Sequence, residues 1–156
     1  MGLGFLSGAV WSTLTVPQLS IRDAESGRIY GIWPRVEQFS IAFIHSVHQS
    51  PVSERFQVEG NRIRPIAARF FSFGAGMQAE LGEGQRMSWD GDALVITGFT
   101  QSFKELNYIV GTVSDHILYI HREDREKSER ISLRDRCGKN AHIVIRISRT
   151  GFAGFY

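Results

Sequence analysis

The chain has 156 residues, of which 42% are hydrophobic and 22% are charged, and these values exclude an intrinsically disordered protein. The 18 basic and 16 acidic residues leave a net charge of only +2, so no basic surplus indicates a nucleic-acid-binding protein. A chain of this length folds as one domain, and the single cysteine, Cys137, excludes an internal disulfide.

The first 16 residues form an apolar leader without a charged side chain. This stretch is shorter than the roughly 20 apolar residues of a membrane span, and it lacks the basic start of a signal peptide. We interpret it as the remnant of an export or anchor segment; the alternative is an ordinary first strand or a disordered leader. A single all-β domain over residues 17–149 and a tail over residues 150–156 follow.

Within that domain, short runs of alternating hydrophobic and polar residues are separated by turn residues, a pattern typical of β-strands. The predicted strands are 19–22, 28–33, 39–43, 56–58, 63–72, 93–97, 106–110, 117–121, 130–133 and 143–147. The interleaved charges of 122–139 predict a solvated loop or a short helix between two strands. The sequence therefore predicts an all-β protein, an antiparallel β-sandwich or a partly closed barrel of about nine or ten strands.

The strongest local signal is a hairpin around Pro51, between a strand that ends at Ser46 and a strand that returns at Glu54. In a symmetric hairpin His45 and Glu54 face each other on an apolar surface, with their Cβ atoms about 5 Å apart. Because a buried ionisable group needs a partner, we predict that the two side chains form a hydrogen bond.

Arg69 has the same parity as Phe71 and Phe73, so its guanidinium is also expected on an apolar face. It would complete a cluster with His45 and Glu54 or point at an anionic ligand. Three interpretations of this cluster stay open: a polar network that fixes the strand register, a ligand pocket, and a catalytic site.

A glycine-rich stretch over residues 74–79 matches the dinucleotide-binding fingerprint in its spacing. No helix long enough and no parallel crossover follow it, so we reject nucleotide binding. Gly74 and Gly76 are instead predicted in a turn whose amide groups can hold an anion. The histidine spacing gives no metal site, and no cofactor is expected. The basic neighbours of Cys137 would lower its thiol pKa and make it more reactive, but an incidental surface thiol is the favoured interpretation.

Three short motifs resemble the bacterial DUF1850 family. They are His45-Ser46-Val47, Ser50-Pro51-Val52 followed by Glu54, and Ser72-Phe73-Gly74-Ala75-Gly76. The resemblance extends over residues 17–148. It implies a small extracytoplasmic protein, associated with TAXI-type TRAP transporters and with the uptake of small organic anions.

We therefore expect a non-enzymatic module in the periplasm or on the outer face of the cytoplasmic membrane, accessory to a TRAP-type transporter. Its partner would be a small organic anion or a transporter component such as the solute-binding protein, and the leader offers a route to the membrane. The residues expected in a ligand-binding or structural polar cluster are His45, Ser46, Ser50, Glu54, Arg69, Ser72, Phe73, Gly74 and Gly76. The alternatives are a small hydrolase or isomerase with His45 as a base oriented by Glu54, and a purely structural interaction domain.

Overall fold

The computed structural model describes residues 15–45, 49–71, 81–122 and 127–151, and within these ranges it contains eleven strands and one short helix. In chain order they are β1 (Thr15–Asp23), β2 (Ile29–Pro34), β3 (Gln38–Ile44), β4 (Pro51–Glu59), β5 (Arg62–Phe70), β6 (Arg86–Asp90), β7 (Ala93–Thr97), β8 (Glu105–Ile109), β9 (Ile117–His121), β10 (Glu129–Ser132), α1 (Leu133–Cys137) and β11 (His142–Gly151). Most of the predicted leader, residues 1–14, and the end of the predicted tail, residues 152–156, lie outside the described residues.

The strands form two antiparallel sheets. The smaller sheet has the order β2-β1-β11-β8, and the larger has the order β10-β9-β3-β4-β5-β7-β6. The predicted all-β antiparallel fold is confirmed, in the form of a sandwich and not of a closed barrel. An isolated antiparallel bridge pairs Ile63 of β5 with Phe103, which lies in the connection between β7 and β8.

The core lies between the sheets and follows the period of two that the sequence predicts. Alternate residues of the central strands point inward and are at most 1% exposed: Leu19, Ile21, Ile143 and Ile145 in the smaller sheet, and Phe39, Ile41, Leu118 and Ile120 in the larger. The rings of Phe39 and Phe56 stack with centroids 5.0 Å apart. Burial of these side chains on both inner faces holds the two layers together.

Two elements differ from the sequence-based expectation. Strand β6 was not predicted, because all five of its residues are exposed and the apolar pattern is too short to identify it. Helix α1 begins at Leu133, where a strand was expected to end. The Ser132 hydroxyl accepts a hydrogen bond from the Asp135 amide at 3.0 Å, which caps the helix and ends β10.

No helix in the described part of the chain is long and apolar enough to span a membrane.

Candidate functional site

The turn between β3 and β4 is tighter than the sequence predicts. Ile44 pairs with Pro51, and the amide of His45 donates to the carbonyl oxygen of Ser50 at 2.8 Å. Pro51 can open a strand because the first strand position tolerates the missing amide hydrogen. The chain therefore begins β4 three residues earlier than expected.

This turn places Ile41, and not His45, opposite Glu54. His45 lies four residues further along the chain than Ile41, which is about 13 Å at the usual rise of a strand. The prediction that His45 and Glu54 face each other and share a hydrogen bond is therefore wrong.

Glu54 faces the interior of the sandwich, where it has a different partner. The hydroxyl of Tyr108, on β8 of the smaller sheet, donates to Oε2 of Glu54 at 2.7 Å. Burial raises the pKa of the Tyr108 phenol, and the negative charge of Glu54 raises it further. The phenol therefore keeps its proton and acts as a hydrogen-bond donor between the two sheets.

Arg69 lies on the other face of the larger sheet. It pairs with Ser53, the neighbour of Glu54, so the side chains of Arg69 and Glu54 point to opposite sides. The guanidinium forms an ion pair with Asp90 of β6, in which the two side chains are 42% and 64% exposed. The predicted cluster of His45, Glu54 and Arg69 is not formed, because the apolar run around Arg69 does not alternate and its parity was ambiguous.

The residues around the tight turn border a cleft of about 430 Å³ at one end of the sandwich. One wall is the end of β3 and the turn, and the other is the loop between β8 and β9. The described lining residues are Phe43, Ile44, His45, Gln49, Gly111, Thr112, Val113, Ser114 and His116. Of the predicted site residues, His45 lines this cleft and the buried Ser50 closes the turn beside it.

His116 is a half-buried polar group in the second wall of the cleft. Its ring stacks on Phe43 with centroids 4.9 Å apart, and the edge of Tyr108 lies 6.0 Å away. The amide of Gly111 donates to Nδ1 of His116 at 3.2 Å, which places the ring proton on Nε2. Burial lowers the pKa of His116, and the charge of Arg134 acts in the same direction while that of Asp115 opposes it. The imidazole is therefore neutral near pH 7.

Three hydrogen bonds fix the loop that forms the second wall. The Ser114 hydroxyl accepts from the amide of Ile44 at 2.9 Å, which ties the loop to the end of β3. The Asp115 carboxylate accepts from the Ser132 hydroxyl at 2.6 Å and from the Arg134 amide at 3.0 Å. Both anchors lie on adjacent residues near the β9 end of the loop, and the acidic side chain of Asp115 is engaged by the start of α1.

Sequence reasoning missed Tyr108 and His116. Tyr108 lies in the predicted strand 106–110, and a buried phenol needs an acceptor. The need of a buried phenol for an acceptor, together with the inward parity of Glu54, could have indicated the hydrogen bond between Tyr108 and Glu54. His116 gave no comparable signal, because its role depends on the way a loop folds over Phe43.

Ser46, Ser72, Phe73, Gly74 and Gly76 lie outside the described residues. In the described part of the chain no three potential ligands are close enough to hold a metal ion.

The expected lowering of the Cys137 thiol pKa is wrong. Burial raises the pKa of this thiol to about 11, against the opposing charge of Arg136. At neutral pH the thiol is therefore protonated and unreactive.

The family comparison covers the same part of the molecule. The model of a domain of unknown function, DUF1850, matches residues 39–126, which is more than half of the chain. The match includes β3, the tight turn, Glu54, Tyr108 and both walls of the cleft. No curated protein and no solved structure matches the chain. The chain therefore belongs to the DUF1850 family.

Proposed function

We propose that this protein is a non-enzymatic binding module outside the cytoplasmic membrane, accessory to a TAXI-type TRAP transporter, and that its cleft binds a small organic anion. The observation that carries the proposal is the cleft itself, whose volume of about 430 Å³ suits a small molecule.

The chemistry of the lining favours a ligand with an apolar body and a carboxylate. The ring of Phe43 and the side chain of Ile44 offer apolar surface. His45, Gln49 and Thr112 add imidazole, amide and hydroxyl groups to the polar part of the lining. None of the described lining residues is acidic, and the nearby Asp115 carboxylate is engaged by Ser132 and Arg134.

The register of β3 and β4 favours binding over catalysis. A hydrolase or isomerase of the kind considered above needs Glu54 to orient His45 as a base. Glu54 instead accepts from Tyr108 inside the sandwich, at a distance from the turn that holds His45. The proposal therefore assigns His45 to ligand binding, together with His116 on the opposite wall.

The cellular setting of the proposal rests on family membership and not on the cleft. The resemblance associates such proteins with TAXI-type TRAP transporters, which take up small organic anions. A transporter's solute-binding protein is the second kind of partner, and it would contact the rim of the cleft instead of filling it.

Thermal-shift screening of the full chain against mono- and dicarboxylic acids tests the proposal. A ligand at 100 times its Kd stabilises the folded state by about 2.7 kcal/mol, which corresponds to roughly 5–10 °C for a chain of this size. We expect such a shift in the wild type and its loss in His45→Ala and His116→Phe. His142→Ala, on the exposed face of the other sheet, is the matched control and should keep the shift.

Two outcomes of the thermal-shift screen would contradict the proposal. If no acid shifts the wild-type Tm, the cleft does not bind this class of ligand. If an acid shifts all three variants as it shifts the wild type, binding takes place elsewhere on the molecule.

A further inference from the structure

A second space, which we call the hollow, adjoins the cleft at the end of β3 and has a volume of about 370 Å³. Ala42, Ser53 and Ile117 line it and lie opposite one another on neighbouring strands of the larger sheet. The chain neighbours Ile41 and Leu118 are buried in the core, so the three lining side chains point away from it. The hollow therefore lies on the outer face of the larger sheet.

The hollow and the cleft share part of their walls. Phe43, Ile44 and Ser114 line both spaces. Ile44 is 40% exposed, so its side chain is accessible at the boundary between them. The hydrogen bond from the Ile44 amide to the Ser114 hydroxyl holds this boundary in place. A chain-like molecule that lies over Ile44 can therefore have one end in each space.

Among the described lining residues, a permanent positive charge is found in the hollow and not in the cleft. No lysine or arginine is among the described residues that line the cleft, and burial lowers the pKa of His116 so that its ring is neutral near pH 7. Arg130 lines the hollow, is exposed and forms no ion pair with a described residue. A carboxylate is therefore attracted more strongly to Arg130 than to the ring of His116.

The acidic group in the described lining of the hollow does not cancel this attraction. The Asp115 carboxylate already accepts hydrogen bonds from the Ser132 hydroxyl and from the Arg134 amide. Its two oxygens are therefore both engaged at the start of α1, whereas the Arg130 guanidinium can form two parallel hydrogen bonds with a carboxylate.

The strand register sets the length of a molecule that reaches both places. Arg130 is level with Ser40, two strands away, through the pairing of each residue with Tyr119. Ile44 lies four residues beyond Ser40 on β3, which is about 13 Å at the usual rise of a strand. A short acid such as butanoate cannot extend from Arg130 past Ile44 into the cleft, but a longer aliphatic acid can.

We propose that the two spaces together bind a medium-chain aliphatic carboxylic acid, with its carboxylate at Arg130 and the end of its chain in the cleft. Ala42, Ile44 and Ile117 provide apolar surface for the methylene groups in between. The assignment rests on the proposed function, the binding of an organic anion in the cleft, and names the class of anion. It also makes Arg130, which is not among the described lining residues of the cleft, the residue that recognises the carboxylate.

Isothermal titration calorimetry of the full chain with butanoate, octanoate and octanamide tests the assignment. Octanoate should bind roughly tenfold more tightly than butanoate or better, because each methylene group that is buried tightens binding by up to about fourfold. Octanamide has the same chain length without the charge. It should bind about fivefold more weakly than octanoate, which is the upper range for an ion pair at an exposed arginine.

Three variants separate the role of the charge from that of the hollow. Arg130→Gln should abolish the preference for octanoate over octanamide and leave the affinity for octanamide unchanged. Arg136→Gln is the matched control, because it removes an exposed arginine that is not among the described lining residues of either space, and it should behave as the wild type. Ala42→Phe fills the hollow from its floor and should reduce the affinity for octanoate to that for butanoate. Circular dichroism checks that each variant is folded.

The titrations distinguish failure of this assignment from failure of the proposed function. If butanoate binds as tightly as octanoate and Arg130→Gln changes nothing, the carboxylate lies in the cleft, so the assignment is wrong and the proposed function stands. Wild-type affinity for octanoate in Ala42→Phe would equally overturn the assignment, since the chain would then not use the hollow. If none of the three compounds binds the wild type, the assignment is wrong, and the wider thermal-shift screen decides the proposed function.

Discussion

The hydrogen bond from Tyr108 to Glu54 is a polar contact placed between two apolar sheet faces. Removing the phenol oxygen leaves a half-buried carboxylate without this donor. We predict that Tyr108→Phe lowers the free energy of unfolding by about 1–3 kcal/mol, the usual range for a lost hydrogen bond to a charged group. Denaturant unfolding of the wild type and of Tyr108→Phe at pH 7 measures this loss in the free energy of unfolding.

Tyr119→Phe is the control, because its hydroxyl makes no hydrogen bond to the rest of the described chain. It should change stability by only a few tenths of a kcal/mol. Equal losses in the two variants would mean that the Tyr108 hydroxyl contributes no more than any half-buried phenol.

The same residue predicts a dependence on alkaline pH. The pKa of Tyr108 is raised in the folded protein above its ordinary value of 10.0, because burial and Glu54 disfavour the phenolate. Its contribution to stability is therefore complete below about pH 10 and falls as the pH rises above it, since only the unfolded chain releases the proton there. The difference in stability between wild type and Tyr108→Phe should shrink over that range, and a constant difference would contradict this assignment.

At the level of single residues, the sequence could predict which way Glu54 points but not what it contacts. The tight turn shifts the register by four residues, an even number, so the inward parity of Glu54 was preserved. Its partner comes from a strand 54 residues away in the other sheet, and strand periodicity carries no information about that distance. Arg69 is the opposite case, because its parity itself was read wrongly.

Among the elements, the loop between β8 and β9 shapes one wall of the cleft, and Gly111 allows its path. A Cβ atom at Gly111 would collide with the backbone carbonyl oxygen of Ser114. We predict that Gly111→Ala destabilises the protein by about 1–3 kcal/mol, as overpacking does, and displaces the His116 ring from Phe43. Denaturant unfolding and the ring-shifted resonances of His116 in NMR spectra measure the two effects.

Gly82→Ala is the matched control for that change. A Cβ atom at Gly82 would meet only the end of the flexible Gln85 side chain, at 3.4 Å. The control should therefore leave both measurements near their wild-type values. Undisturbed His116 resonances in Gly111→Ala would mean that the loop can move without altering the cleft.

The positions of most strands could be predicted, because buried strands repeat their pattern every two residues. The alternation through Ile143, Ile145 and Ile147 identifies β11 without any other information. Strand β6 escaped prediction because all its residues are exposed. Helix α1 lies within residues 122–139, where the interleaved charges predicted a loop or a short helix without giving its bounds. The cleft was also unpredictable, since it depends on how a loop packs against a turn and not on any local period.

Over the whole molecule, the shared core predicts a single unfolding transition. Ile41 of the larger sheet and Ile145 of the smaller sheet are both 0% exposed and belong to one hydrophobic cluster. We predict that Ile41→Ala and Ile145→Ala each cost about 2–5 kcal/mol. Each should shift one common transition, because neither sheet can keep its inner face buried alone.

Calorimetry combined with tryptophan fluorescence and circular dichroism checks this expectation. Trp33 reports on the smaller sheet and Trp89 on the larger. Two separate transitions in either variant, or unequal midpoints from the two spectroscopic probes, would mean that the layers unfold independently.

The pairing of β1 with β11 has a consequence for how the molecule is made. Thr15 lies opposite Gly151 at one end of the pair, and Asp23 lies opposite Ile143 at the other. The middle of the smaller sheet therefore consists of the earliest and the latest described strands. While the chain is still being synthesised, the inner face of β1 has no neighbour in β11 to pair with. A sheet centre formed by such distant segments is a long-range contact, and contacts of this kind slow folding.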